Sequence, residues 1–204
     1  MKKIFLATLP LFMIVTISFH SPLITPLKIG SPIPSPDRKM KDISGKDVSF
    51  NEVKNKNGLL VMFSCNTCPI VHAYQSRTIE VCSYAIKNGL GVILLNSNEG
   101  SRHEGDSYSD MKDYGNQQGY KWPYVLDEDA FMANAFGALR TPECFLFNSE
   151  GKLVYHGAID NNANGPQEVT RKHLMIAMDE MLAGKEVSVN TSRSVGCTIR
   201  RLNQ

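Results

Sequence analysis

Two cysteines stand two residues apart in the stretch Val61-Met62-Phe63-Ser64-Cys65-Asn66-Thr67-Cys68-Pro69, and no other residues of this chain are so well placed to do chemistry. Three positions apart at the start of a helix, their Cα atoms fall about 5–6 Å from each other, inside the window a disulfide accepts. Such a pair passes between dithiol and disulfide with little backbone movement. The thiolate is the reacting form, and the unpaired N–H groups and partial positive charge of a helix N-terminus favour it. Cys65, at the end of the preceding strand, is expected to be the more exposed, attacking sulfur. Cys68, in the first helical turn, is expected to resolve the mixed disulfide. Pro69 suits an early helical position, which has no N–H partner to lose. The other chemistry open to this spacing is half of a zinc site, which needs a second ligand pair. The remaining cysteines, at 82, 144 and 197, stand singly, so no metal is expected.

The elements that must position this pair are legible around it. Leu59 to Phe63 is a continuous apolar run of the kind expected for a strand buried on both faces. Beyond the cysteines, Val71, Tyr74, Thr78, Val81, Cys82 and Ala85 recur at helical steps until Asn88-Gly89 closes the helix. Gly91 to Asn96 reads as a second buried strand. Strand, helix, strand implies a parallel pair with a right-handed crossover, so both strands end at one sheet edge. The polar loop Ser97 to Asp106 then lies beside the cysteines, by default as a solvated connector.

Upstream, Lys39 to Ile43, a Ser44-Gly45-Lys46-Asp47 turn and Val48 to Phe50 read as a hairpin. Downstream come a helix over 110–118 capped by Ser107 or Ser109, a strand at Tyr124-Val125-Leu126, and a helix from Asp129 to Phe136 ended by Gly137. A second hairpin follows across Asn148 to Gly151, with a last helix over 167–183.

At 204 residues, with 42% hydrophobic and 21% charged residues, the chain suits one domain with a substantial core. The formal charge of +2 leaves no basic footprint for nucleic acid. Residues 1–20 begin Met-Lys-Lys and continue through an apolar stretch, the layout of a secretory signal or an N-terminal anchor. This segment is the expected point of membrane contact and places the chain outside the cytoplasm. Residues 21–36 hold five prolines and read as a tether, leaving 37–204 as the domain. Five cysteines, an odd number, fit a purely structural disulfide framework poorly.

The sequence resembles the thioredoxin-like superfamily, in particular the bacterial redoxin branch that joins thioredoxins, peroxiredoxins and extracytoplasmic thiol-disulfide oxidoreductases. The pieces that carry the resemblance are Ser44-Gly45-Lys46, Phe63 to Pro69, Trp122 to Asp127, Phe136-Gly137-Ala138 and Arg140-Thr141-Pro142-Glu143. The tail Val195 to Arg200 also resembles one carried by a redoxin subgroup. The resemblance implies an α/β thioredoxin fold: a central mixed sheet flanked by helices, with the N-terminal hairpin as an extension. It implies thiol-disulfide exchange with protein thiols or disulfides and a further electron donor or acceptor, with no cofactor beyond the disulfide. Thr141-Pro142 would then be the loop whose proline is cis, leaving the Thr141 backbone free to pair with an extended substrate.

The chain departs from thioredoxins at Ser64 and Asn66-Thr67, and Met62 replaces their buried acid. Glu143 becomes the nearest proton acceptor for Cys68, with an exposed strand position as the plainer reading. Two alternatives stay open. A peroxiredoxin-like peroxidase would work through Cys68, with Arg140 as substitute for that family's arginine. A copper-delivery protein of the Sco type would use the cysteines with His156. Cys82, about 21 Å beyond Cys68 along the helix, and Cys144 are expected in the core. Cys197 is a candidate third redox thiol able to reach Cys65 or a partner, and His72, one turn past Cys68, reads as a helix-face residue.

Overall fold

The computed structural model describes residues 24–202. The signal or anchor expected over 1–20, and the start of the expected tether, lie outside the described residues. A seven-stranded sheet forms the centre, in the order β2-β1-β5-β4-β3-β7-β8. The parallel trio β3 (Leu59–Ser64), β4 (Gly91–Asn96) and β5 (Tyr124–Leu126) occupies its middle. The antiparallel hairpin β7 (Glu143–Phe147) and β8 (Leu153–Gly157) joins at β3. The other hairpin, β1 (Met40–Asp42) and β2 (Asp47–Val48), adds antiparallel to β5. This is the thioredoxin fold with its N-terminal hairpin extension.

Every residue of β3 and β4 is buried, as their unbroken apolar runs require of strands covered on both faces. Leu60, Met62 and Leu94 face one core beneath α2 (Pro69–Lys87), α3 (Tyr108–Gln118) and α5 (His173–Leu182). Leu59, Val61, Phe63, Ile93 and Leu95 face the other, beneath α1 (Phe50–Val53) and α4 (Phe131–Phe136). In this second core Phe136 stacks edge-on or tilted against Phe50, Phe63, Phe145 and Phe147, with centroids 5.1–5.9 Å apart. Cys82 and Cys144 are fully buried in the first core, as expected.

Four boundaries differ from the sequence reading. The helix expected from Asp129 begins at Phe131, because Asp129 and Ala130 take left-handed φ values of 58° and 50°. Phe50 opens α1 rather than closing a strand, because Ser49 and Glu52 form a reciprocal capping box there. The last helix begins at His173, not near 167. Asn161 Oδ1 accepts hydrogen bonds from the Thr170 and Arg171 N–H groups, and Asn161 N–H donates to the Arg171 carbonyl, which keeps that stretch out of the helix, behind a 3-10 turn at Pro166–Glu168. Residues 24–36, read as tether, lie along the domain. Leu27 N–H donates to the Phe136 carbonyl, Gly30 N–H to Leu153 and Ile33 N–H to Gly151. Gly137, with φ +65°, both ends α4 and lets this segment pass, since a Cβ there would overlap the Thr25 carbonyl.

Truncating Phe136 to alanine should empty the centre of the aromatic core. A loss of about 3–5 kcal/mol is expected from the urea midpoint at unchanged m-value; a loss under about 1 kcal/mol would show that this cluster does not hold the second core together.

Candidate active site

Strand β3 ends at Ser64 and α2 starts at Pro69, so Cys65 to Cys68 form the turn between them, with Cys68 as N-cap and Pro69 at the first helical position. Opposite lies the short strand β6 (Arg140–Thr141), followed by a cis Thr141-Pro142 peptide. The two sulfurs converge on Thr141: Cys65 Sγ is 3.2 Å from its Oγ1 and Cys68 Sγ is 3.5 Å from its carbonyl oxygen.

The cysteines are joined differently from the sequence expectation. Cys68 forms a disulfide with Cys197, across a Cα–Cα distance of 6.0 Å, and Cys65 is a free thiol. Nor is Cys65 the exposed sulfur, since its relative exposure is 0%. Burial pushes the Cys65 thiol up; the Thr141 hydroxyl pulls it back, the Asp106 carboxylate pushes it further, and the Cys68 and Thr67 N–H groups pull slightly down. The helix terminus therefore does act on Cys65, but loss of water outweighs it.

Cys197 reaches Cys68 because the tail is a strand. In β9 (Cys197–Thr198), Cys197 pairs antiparallel with Thr141 and Thr198 with Arg140. Ile199 N–H donates to the Leu139 carbonyl and Gly100 N–H to that of Arg200, while Ile199 is buried in the second core. The Thr141 edge is thus occupied by the chain's own tail, where the sequence reading left it free. Arg140 is exposed and donates from Nη1 to the Gly196 carbonyl at 3.0 Å, so it holds the tail.

Glu143 is neither an exposed strand residue nor a partner of Cys68. Its relative exposure is 5%, and its Oε2 accepts the N–H groups of Leu139 and Arg140 at 2.8 and 3.0 Å. Its Oε1 meets His156 Nε2 at 2.7 Å. Glu143 therefore fixes the backbone entering β6, and His156, also stacked on Phe145, is engaged with Glu143. Among the described residues no group of three or more His, Cys, Asp or Glu side chains converges to hold a metal ion.

The loop from 97 to 106 sits beside the cysteines as topology demands, but it is no solvated connector: Ser97, Asn98, Ser101 and Asp106 are buried. The Asp106 carboxylate accepts from Asn66 N–H at 2.7 Å, Thr67 Oγ1 and Asn96 Nδ2 at 2.8 Å, and Asn98 Nδ2 at 3.1 Å. Asn66 is further held by Tyr124 Oη and the Gly105 carbonyl, and its own carbonyl meets His72 Nε2. The sequence reading missed Asp106 as a site residue. Its one available signal was the placing of that loop at the sheet edge.

The family model described as Redoxin matches residues 28–174, a span that ends before Cys197. Over 122 residues the chain is 24% identical to thiol-disulfide oxidoreductase ResA of Bacillus subtilis (strain 168). That match covers 59% of this chain and 63% of the relative, so the chain spans less than two thirds of that protein's length. Two crystal structures are similar over nearly the whole fold. One, an uncharacterized conserved protein from Geobacillus kaustophilus, has TM-score 0.80 and 28% identity, with 87% of this chain and 94% of that one covered. The other, a hypothetical protein from Sinorhizobium meliloti 1021, has TM-score 0.80 and 29% identity, with 88% and 98% covered.

With the Cys68–Cys197 bond intact, alkylation of Cys65 is expected to be slow at pH 7 and to accelerate only above the ordinary thiol range, since its raised pKa keeps it protonated until then. Mass spectrometry of iodoacetamide-treated protein across pH 7 to 10 checks this; full modification of Cys65 within minutes at pH 7 would contradict it.

Proposed function

The chain belongs to the redoxin family, and from that membership we propose that it is a thiol-disulfide oxidoreductase acting on cysteines of protein partners outside the cytoplasm. The observation that carries the reading is the cysteine on an extended strand, paired to Thr141 beside the cis proline and bonded to Cys68. A partner chain docked along Arg140–Thr141 in the same way would present its sulfur at the same place. The name of the Bacillus relative supports the same activity.

The exchange then runs in two displacements. Once a dithiol donor has reduced the Cys68–Cys197 bond, itself becoming a disulfide, the Cys68 thiolate attacks a partner disulfide, forming a mixed disulfide while the partner's second sulfur leaves as a thiolate. Cys65, once deprotonated, attacks the Cys68 sulfur and expels the first partner sulfur, leaving a Cys65–Cys68 disulfide. The partner gains the two electrons that the dithiol loses, so no further cofactor is required. Run backwards, the same steps oxidise a partner dithiol, and the reduction potential of the couple against its donor or acceptor sets the direction. This order reverses the sequence expectation for the two cysteines, because both are buried and Cys68 is the one whose sulfur bonds the docked strand. Thr141 and Pro142 form the docking edge, and Glu143 and Arg140 support it. The Met-Lys-Lys start with its apolar run favours an extracytoplasmic site of action, where a disulfide such as Cys68–Cys197 persists.

Cys65→Ser combined with Cys197→Ser removes both sulfurs able to resolve a mixed disulfide on Cys68, and is expected to accumulate partners there, seen as reductant-sensitive bands on non-reducing gels and mapped by mass spectrometry. Trapping by Cys68→Ser/Cys197→Ser alone would restore the opposite order, and trapping by neither double variant would refute exchange with proteins.

One observation also favours a thiol peroxidase. A Cys68–Cys197 disulfide is the product expected if hydroperoxide oxidised Cys68 to a sulfenic acid and the Cys197 thiol then displaced water. Against it, Cys65 stands where that chemistry wants a hydroxyl, and the Arg140 guanidinium donates to Gly196. Wild type is therefore expected to consume hydrogen peroxide no faster than a simple dithiol; turnover at least about a hundredfold faster, abolished in Cys197→Ser, would favour the peroxidase.

A further inference from the structure

Resting on the exchange reading above, we infer that the Arg140–Thr141 edge selects partner chains in which glycine immediately precedes the reactive cysteine, and that the tail at 195–199 is its resident example. Gly196 does not use the left-handed backbone region, so an L-residue would suit its backbone. Space is what excludes one. A Cβ on Gly196 would overlap the Thr141 carbonyl oxygen and lie 2.7 Å from the Thr141 carbonyl carbon. Those atoms are backbone, in a residue with 0% exposure, and the N–H groups just before them are held by Glu143. The edge therefore cannot withdraw as a flexible side chain would.

Two contacts beside the cysteine are of kinds that any extended chain makes. Arg140 Nη1 takes the carbonyl of the residue before the cysteine, and the Leu139 carbonyl takes the N–H two residues after it. The residue after the cysteine, Thr198, is exposed and so is not read, whereas Ile199 is buried. Selectivity falls on the position before the cysteine because close backbone approach there brings the two sulfurs together. In the reaction, the Cys68 thiolate attacks the sulfur of the docked Gly-Cys unit, the bond from that sulfur to its own partner breaks, and the leaving group departs as a thiolate. As part of the same chain the tail competes at an effective concentration on the order of millimolar.

Two peptides copying residues 194–200, one with the native Gly-Cys and one with Ala-Cys, each activated as a mixed disulfide with thionitrobenzoate, test this on the full-length, reduced Gly196→Ala/Cys197→Ser protein. The double substitution displaces the tail and removes its sulfur. The Gly-Cys peptide is expected to react at least about tenfold faster, the ratio that a difference of about 1.4 kcal/mol in the docked state would produce. The same ratio is read in Cys197→Ser, where the tail competes equally with both peptides, so the test survives should the double variant fail to fold. Reduced wild type is assayed against dithionitrobenzoate alone. If it does not exchange, the proposed activity falls; if it exchanges but the peptides react at equal rates, or neither reacts, only the glycine selectivity is overturned.

Discussion

A carboxylate taken out of water must be met by hydrogen-bond donors, and Asp106 is met by four from two separate stretches of chain. Two belong to the residues between the cysteines and two to the end of β4 and the loop that follows it. Satisfying that one group fixes the cysteine turn against the sheet edge independently of the contacts the sulfurs make. Arg102 braces the same loop, donating to the Asn96 and Asp106 carbonyls and to Asn96 Oδ1. The Asn66-Thr67 pair, which departs from the Gly-Pro of thioredoxins, thereby acquires a structural reason in its side chains: the Thr67 hydroxyl donates to Asp106 and the Asn66 amide to the Gly105 carbonyl, donors that Gly-Pro lacks.

The second constraint is the edge of β6. A short strand with unpaired backbone groups next to a reactive disulfide is a docking place for extended chain. Glu143 consumes the N–H groups on one side of it, and the tail satisfies carbonyls on the other. Glu143 does not face Cys68 as a proton acceptor: its two oxygens serve the backbone and His156. The resulting site holds three cysteines at one residue, Thr141, with one buried as a thiol and two joined. Burial suppresses Cys65 as a nucleophile while it is covered, and the bond to the tail occupies Cys68. The closed arrangement is in this sense chemically quiet.

The order of elements was legible because it rests on local periodicity. Leu59 to Phe63 could only be a strand covered on both faces, the three- and four-residue steps from Val71 to Ala85 could only be a helix with one buried side, and the Asn148 to Gly151 turn needed only its own residues. Two misplaced boundaries were set from elsewhere in the chain, since Asn161 holds 170–171 out of the last helix and the segment at 27–33 lies against the end of α4 and the β7–β8 hairpin, whereas the Ser49–Glu52 capping box that opens α1 is local.

The site divides along the same line. Spacing alone determined that Cys65 and Cys68 sit at a strand-to-helix turn, that Cys82 is too far along the helix to join them, and that the loop at 97–106 lies at the same edge. Likeness to the family picked out Thr141-Pro142. Only the tertiary structure decided that both sulfurs are covered, which one bonds Cys197 across 129 positions of sequence, and that Asp106 is the acceptor beneath them. Exposure and long-range pairing depend on what packs over a residue from elsewhere in the chain, whereas periodicity depends only on its neighbours. The Cys-X-X-Cys pair is two parts of a three-cysteine site.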